Sequence, residues 1–170
     1  MTDPRTDPGV DPSEAIEVRD YREGDAAAFE RLNLDWIEQW FEVEPKDREV
    51  LGQPERFILK PGGAIFMAVD RAGVAVGAVA MIAMDTTDSS FELAKMGVAE
   101  AARGRGVGQR LAEAVIERAR DRGADRVYIE SSTKLEPAIR LYRKLGFVEI
   151  EGGASPYARC DIQMELRLRP

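Results

Sequence analysis

Between Arg103 and Gly108 the chain reads Arg-Gly-Arg-Gly-Val-Gly, and no acidic side chain occurs from position 103 to position 110. Glycines let a backbone turn tightly and leave its N–H groups unshielded, and a helix beginning there adds free donors and a partial positive charge. Such a cup suits a phosphate or pyrophosphate, and Arg103, Arg105 and Arg110 add cationic charge around it. Two absences narrow the chemistry further. The chain holds no histidine, which removes Ser-His and Cys-His couples and any imidazole metal site. Its single cysteine, Cys160, excludes an internal disulfide and every CxxC motif, so no metal site is expected. Catalysis must therefore run on carboxylates, tyrosine, lysine, serine or backbone amides.

Three readings of the glycine-rich segment compete. It is not a P-loop, because no Gly-Lys-Ser/Thr succeeds the glycines. As a dinucleotide fingerprint it lacks the third glycine, Leu111 standing in that place, although Glu130 imitates the ribose-binding acid about 20 residues on. A plain helix-start turn is the third reading.

The elements that must position this loop can be read from periodicity. Ile16 and Val18 begin a short strand, and Asp25 can cap a helix in which Phe29, Leu32, Trp36, Ile37 and Trp40 recur at helical spacing. Pro45 and Pro54 interrupt the next stretch, predicting a short helix or loop from Lys46 to Leu59. Ala64–Val69 and Val74–Met84 read as an antiparallel hairpin, and Phe91–Val98 as a third strand. Val107, Leu111, Val115 and Ala119 line one helical face, with Gly123 just beyond it. A strand at Val127–Glu130, a helix from Pro137 to Leu145 stopped by Gly146, and closing strands at 147–150 and 161–168 complete the order. The predicted fold is a mixed α/β arrangement. Its twisted sheet is mostly antiparallel, contains one βαβ unit near the centre, and is flanked by about four helices.

Two segments carry a family resemblance. Arg103-x-x-Gly106-x-Gly108 resembles the Arg/Gln-x-x-Gly-x-Gly/Ala signature of the GNAT superfamily of N-acetyltransferases. Pro137-Ala-Ile-Arg-Leu-Tyr142-Arg-Lys-Leu-Gly-Phe147 is similar to that superfamily's second motif, and the two stand in the family's order, one helix and one strand apart. The resemblance implies acetyl-CoA as co-substrate, its pyrophosphate held by main-chain amides of Arg103, Gly104, Arg105, Gly106, Val107, Gly108 and Gln109. It places the backbones of Met96 and Val98 beside the pantetheine arm, with Ser131 and Ser132 nearby. Tyr142 matches the tyrosine that protonates the departing thiolate. A thiol titrates near ~8.5 and a phenol near ~10, so a hydrogen-bonded phenol close to sulfur is a workable donor. Glu92 matches a strand position where several members keep a catalytic glutamate. A base is needed because an alkylammonium, with a pKa near ~10.4, is mostly non-nucleophilic at neutral pH; relay through water is the other route. Leu135 stands where many members carry an asparagine on the cofactor arm, so Ser132, Thr133 or Lys134 must supply that polar contact.

The acceptor is expected between the first helices and the late loop Ser155–Arg159. Glu38, Glu42 and Glu44 could draw a cationic amine, an exposed acidic face being the more ordinary reading. Trp36 and Trp40 are expected in the core, and Cys160 as a small strand residue. The reading is an N-acetyltransferase acting on an amine of a small molecule or peptide by direct attack in a ternary complex. The alternatives are a non-catalytic acyl-CoA-binding sensor and, behind it, a nucleotide binder.

With 170 residues the chain has room for one domain, expected over 15–170 behind a disordered tail, 1–14, that carries Asp-Pro three times. A net charge of −7 argues against nucleic-acid binding. No apolar run reaches the ~18 residues of a membrane span, and no secretory h-region precedes the first strand. A cytoplasmic monomer or homodimer is therefore expected.

Overall fold

The computed structural model describes residues 15–169 of the chain, so the expected tail lies outside the described residues. A seven-stranded sheet forms the frame, in spatial order β1-β2-β3-β4-β5-β7-β6. Its strands are β1 (Glu17–Asp20), β2 (Ala64–Val69), β3 (Ala75–Ala83), β4 (Ser90–Val98), β5 (Arg126–Ser131), β6 (Val148–Ile150) and β7 (Ile162–Arg167). Every neighbouring pair is antiparallel except β4 and β5, which are parallel and joined through a crossover helix. That is the expected βαβ unit inside an antiparallel sheet. The helices are α1 (Ala26–Trp40), α2 (Pro45–Gly52), α3 (Val107–Asp121) and α4 (Glu136–Lys144), with a π-helical turn at Glu55–Leu59 and a 3-10 turn at Glu100–Ala102.

The sheet separates two apolar layers. On one face α3 and α4 lay Val107, Leu111, Val115, Ile139 and Tyr142 against Phe66, Val79, Leu93, Val127 and Met164. On the other, Phe29, Leu32 and Ile37 of α1 join Val50, Leu51 and Ile58 over Ile65, Met67, Ala78 and Ala80. Period-two alternation along the strands and 3.6-residue spacing along the helices sort these residues to their faces. Small residues set how closely the layers approach. A Cβ on Gly97 would sit 2.5 Å from the Leu32 carbonyl oxygen and 3.1 Å from Cδ1 of Trp36, so α1 rests directly on the β4 backbone there.

Two sequence expectations are corrected. Asp25 occupies the position before α1 but makes no side-chain cap bond. Its carboxylate turns back to the Arg19 guanidinium (2.7 and 3.2 Å) and the Arg22 amide (2.7 Å). A charge-assisted ion pair outcompetes a neutral cap. Pro45 starts α2 instead of interrupting it, because the first helical turn needs no N–H at that position.

Gly97→Ala is therefore an overpacking change against rigid backbone, costing roughly 1–3 kcal/mol. Urea unfolding should show a lowered midpoint with the slope unchanged, and an unaltered midpoint would show that α1 does not bear on this strand.

Candidate functional site

Strands β4 and β5 pair only over Ser90–Glu92 against Arg126–Tyr128. Beyond that point they part. β5 continues along β7 as far as Ser131, while β4 runs beside β3 through a bulge in which Ala94 to Gly97 span the register of Ala80 to Ala78. Lys95, inside the bulge, has φ +52°, a left-handed conformation that L side chains seldom adopt. The fork opens a cavity of about 710 Å³ whose walls come from both faces of the sheet: Trp36 and Trp40 of α1 on one, Leu141 and Tyr142 of α4 on the other.

The glycine-rich turn forms one end of this cavity. Gly104 and Gly106 have φ of +78° and +74°, which explains glycine at each, and Gly106 stands at the N-cap of α3. Arg103 and Arg110 donate their amides to the carbonyls of Glu100 and Gly106, but no described residue accepts from the amides of Gly104 to Gln109. A row of outward amides at a helix N-terminus is an anion cradle. Met96, Val98, Arg103, Gly104, Gly106, Val107, Gly108, Gln109 and Ser132 all line the cavity, whereas Arg105 lies outside its lining. Leu135, at the asparagine position, also reaches the wall.

Tyr142 is buried against Phe147, ring centroids 5.9 Å apart. Burial pushes its phenol up, so it stays protonated at neutral pH. Among the described residues its hydroxyl has no hydrogen-bond partner, yet it is not sealed from the cavity it lines. Glu92 lies on the opposite side of the fork and likewise lines the cavity. Burial pushes its carboxyl up to about 7, with the Glu130 carboxylate adding to the shift and the Lys95 ammonium opposing it.

The far end is built from residues distant in sequence. Asp47, fully buried in the first turn of α2, accepts from the Glu44 amide (3.0 Å), the Lys95 ammonium (3.2 Å) and both terminal nitrogens of Arg159 (2.7 and 2.8 Å). Burial raises its carboxyl, but Arg159, the Glu44 amide and Lys95 outweigh that and hold it below the ordinary range. Arg159 also reaches Glu44 at 3.2 Å, and Lys95 donates to the Tyr157 hydroxyl at 2.7 Å. Ser155 donates to Glu130 (2.7 Å), and Gln163 to the Gly153 carbonyl (2.8 Å). The 151–161 connection is thus pinned across the open face of β5 and β7. Trp36, expected in the core, is half-buried on the cavity wall, and Trp40 is 51% exposed there. Cys160 lies in the loop ahead of β7, not in a strand. Glu38, Glu42 and Glu44 are absent from the lining; Glu92 and Glu130 are its carboxylates. In the sequence Glu130 stands out only as a false ribose acid, and no local pattern there marks Asp47 or Lys95.

Comparison with known proteins agrees with this architecture. Residues 26–147 match the Acetyltransferase (GNAT) family, and the chain belongs to that family. Among curated relatives, it is 34% identical over 108 residues to an uncharacterised N-acetyltransferase of Escherichia coli K12, YjgM, the match covering 62% of this chain and 64% of that one. It is 37% identical over 92 residues to the IAA acetyltransferase of Azospirillum brasilense, covering 54% and 59%. The chain thus spans less than two thirds of the length of these curated relatives. A GNAT-family acetyltransferase of Staphylococcus aureus superposes with a TM-score of 0.82 at 22% identity, covering 91% of this chain and all of that one. The Salmonella typhimurium acetyltransferase yncA, solved with acetyl-CoA, gives 0.70 at 19% identity, covering 91% and 95%. At those identities the likeness concerns the fold.

Asp47→Ala would leave the buried Lys95 ammonium without an ion-pair partner and Arg159 with Glu44 alone, a loss of about 3–5 kcal/mol. A fall of that size in urea-unfolding free energy, with faster proteolysis of the 151–161 loop, is expected; a loss under about 1 kcal/mol would show that the network is energetically idle.

Proposed function

We propose that this chain transfers the acetyl group of acetyl-CoA to the amine of a small molecule or peptide by direct attack within a ternary complex. The observation that carries the reading is the forked cavity: one opening holds an amide cradle at 104–109 while a protonated phenol and an elevated carboxyl stand on its walls. The unsatisfied amides and the glycines with positive φ fit a diphosphate. Acetyl-CoA, when bound, supplies the thioester carbonyl that an amine attacks.

The roles of the chain's own groups derive from their positions. Amides from Gly104 to Gln109 hold the diphosphate, with Arg103 at the rim. The edge of β4 from Met96 to Val98, unpaired on the β5 side, offers backbone groups to an extended ligand as an added strand would. Ser132 and Lys134 lie on the wall near Leu135 and supply the polar contact that leucine cannot. Glu92 takes the proton from the attacking ammonium, directly or through water. With a pKa of about 7 it is half ionised near neutrality, where a general base is most effective. Tyr142 carries the proton that the departing thiolate needs, and its free hydroxyl is available to give it. The acceptor enters between Trp36, Trp40 and the 151–161 loop, and its cationic form suits the carboxylates of Glu92 and Glu130.

Tyr142→Phe should lower kcat by a factor of roughly 10²–10⁴ with the affinity for acetyl-CoA nearly intact; thiol release with an amine panel and calorimetric titration measure the two. An unchanged kcat removes Tyr142 from the reaction. For Glu92, kcat/KM should fall on the acid side through about pH 7, and Glu92→Gln should abolish that limb. The same carboxyl has a sign on stability. Its folded pKa lies above the ordinary 4.5, so its contribution is complete below that pH and is lost as pH rises through about 7. Glu92→Gln should therefore gain stability relative to the parent between about pH 5 and pH 8, by up to about 3 kcal/mol. A gain independent of pH would contradict the elevated carboxyl.

A further inference from the structure

Glu92 and Glu130 are carboxylates on the two arms of the fork, facing the same cavity. Glu92 is the register partner of Tyr128, and Glu130 lies two residues further along β5, on the same face of the sheet as Tyr128. The two acids differ sharply in their surroundings. Both oxygens of Glu130 are engaged, Oε1 by the Tyr128 hydroxyl at 3.0 Å and Oε2 by the Ser155 hydroxyl at 2.7 Å, and Ser155 in turn accepts the Tyr157 amide at 3.1 Å. No described cation pairs with Glu130, whereas the neighbouring Arg126 is paired with Asp88 and Glu165. Glu92 has no hydrogen-bond donor among the described residues, and the Lys95 ammonium, shared with Asp47 and Tyr157, is the cation that favours its charged form.

We infer that Glu130 is a positioning residue for the proton transfer at Glu92: a carboxylate on β5, held by the hydroxyls of Tyr128 on that strand and Ser155 in the 151–161 loop, that faces the proton-accepting acid of β4 across the shared cavity. This rests on the reading of Glu92 as the base of the transfer. The mechanism is like-charge repulsion across a poorly solvated gap. Two carboxylates sharing such a space part their proton affinities, and the one lacking donors holds its proton longer. Other groups face Glu92 as well. Lys95 from its own strand favours the charged form, with its ammonium shared with Asp47 and Tyr157; Tyr128 stands opposite on β5; Arg159 and Cys160 look in from the loop; and Ile82 of β3, Trp36 and Trp40 carry no charge. Arg159 is occupied by Asp47 and Glu44, which leaves Glu130 as the acidic side chain facing Glu92 across the cavity. The clamp has a second use. It fixes the same carboxylate where an incoming ammonium must pass, so one residue draws the amine in its charged form and helps the next residue to discharge it.

The test is the pH dependence of Glu130→Gln beside Glu130→Asp and Glu92→Gln. Glutamine keeps polar contacts to Tyr128 and Ser155 but removes the charge, so the acid limb of kcat/KM should move to lower pH by roughly half a unit or more. Aspartate keeps the charge and should leave the limb closer to that of the parent. A readout independent of turnover is carbon-13 NMR of the labelled glutamate side chains, in which the Glu92 carboxyl should titrate lower in Glu130→Gln than in the parent. If Glu130→Gln does not fold, the titration of Glu92 in the parent spectra still puts the inference at risk. A Glu92 carboxyl titrating in the ordinary range while Glu130 is ionised would overturn the inference. So would a uniform loss of rate in Glu130→Gln with the limb unmoved, which is the signature of a purely structural role. If instead Glu92→Gln retains the acid limb, the reading of Glu92 as base fails, and the NMR titration judges the coupling between the two acids by itself.

Discussion

Adjacent parallel strands remain hydrogen-bonded only while their backbones keep one spacing, and in this chain the β4–β5 ladder stops after Glu92 and Tyr128. Everything functional in the molecule answers to that interruption. It leaves a strip of polar backbone along β4 that a folded protein must satisfy with something, and a gap in the centre of the sheet that side chains from both layers share. The bulge at Lys95 maintains the separation: β4 takes an extra residue relative to β3, bends away from β5, and accepts a left-handed φ at a non-glycine residue. Backbone strain of this kind persists only where the surroundings over-determine it. The buried contacts of the Lys95 ammonium with Asp47 and Tyr157 supply that constraint.

Charge is distributed unevenly around the gap. Toward the glycine turn the chain presents amides, glycines and Arg103; toward the far end the cations Lys95 and Arg159 are paired with Asp47 and Glu44, and Glu92 and Glu130 remain. The net charge of −7 conceals this local polarity. The two ends of one passage thus present opposite electrostatic character, amide donors at one and carboxylates at the other.

Much of this is legible from residues alone, for physical reasons that differ by element. The α3 stripe from Val107 to Ala119 and the alternation along β7 survive into the structure because one face of each is buried on the core. The glycine turn is legible because two of its φ values admit little else. The far end of the cavity is not. Asp47 and Arg159 lie 112 residues apart, and Asp47 and Lys95 lie 48 apart, and no local periodicity encodes such contacts. Trp36 and Trp40 keep helical spacing with Phe29 and Ile37, but both indoles stand where the fork opens, Trp36 half-buried beside Gly97 and Trp40 exposed, so both lie on the cavity wall. Asp25 departs from its cap pattern because that pattern says nothing of a competing guanidinium contributed by a strand.

The tether between the 151–161 loop and the start of α2 also bears on how this scaffold can diverge. Loops that shape a pocket are ordinarily free to vary on their own, since little else depends on them. Here the loop's Arg159 is neutralised by an aspartate 112 positions upstream, which is itself part of the helix's first turn. The loop therefore cannot be reshaped on its own: a change at 159 alters the charge balance at 47, so these two remote stretches of chain behave as one unit.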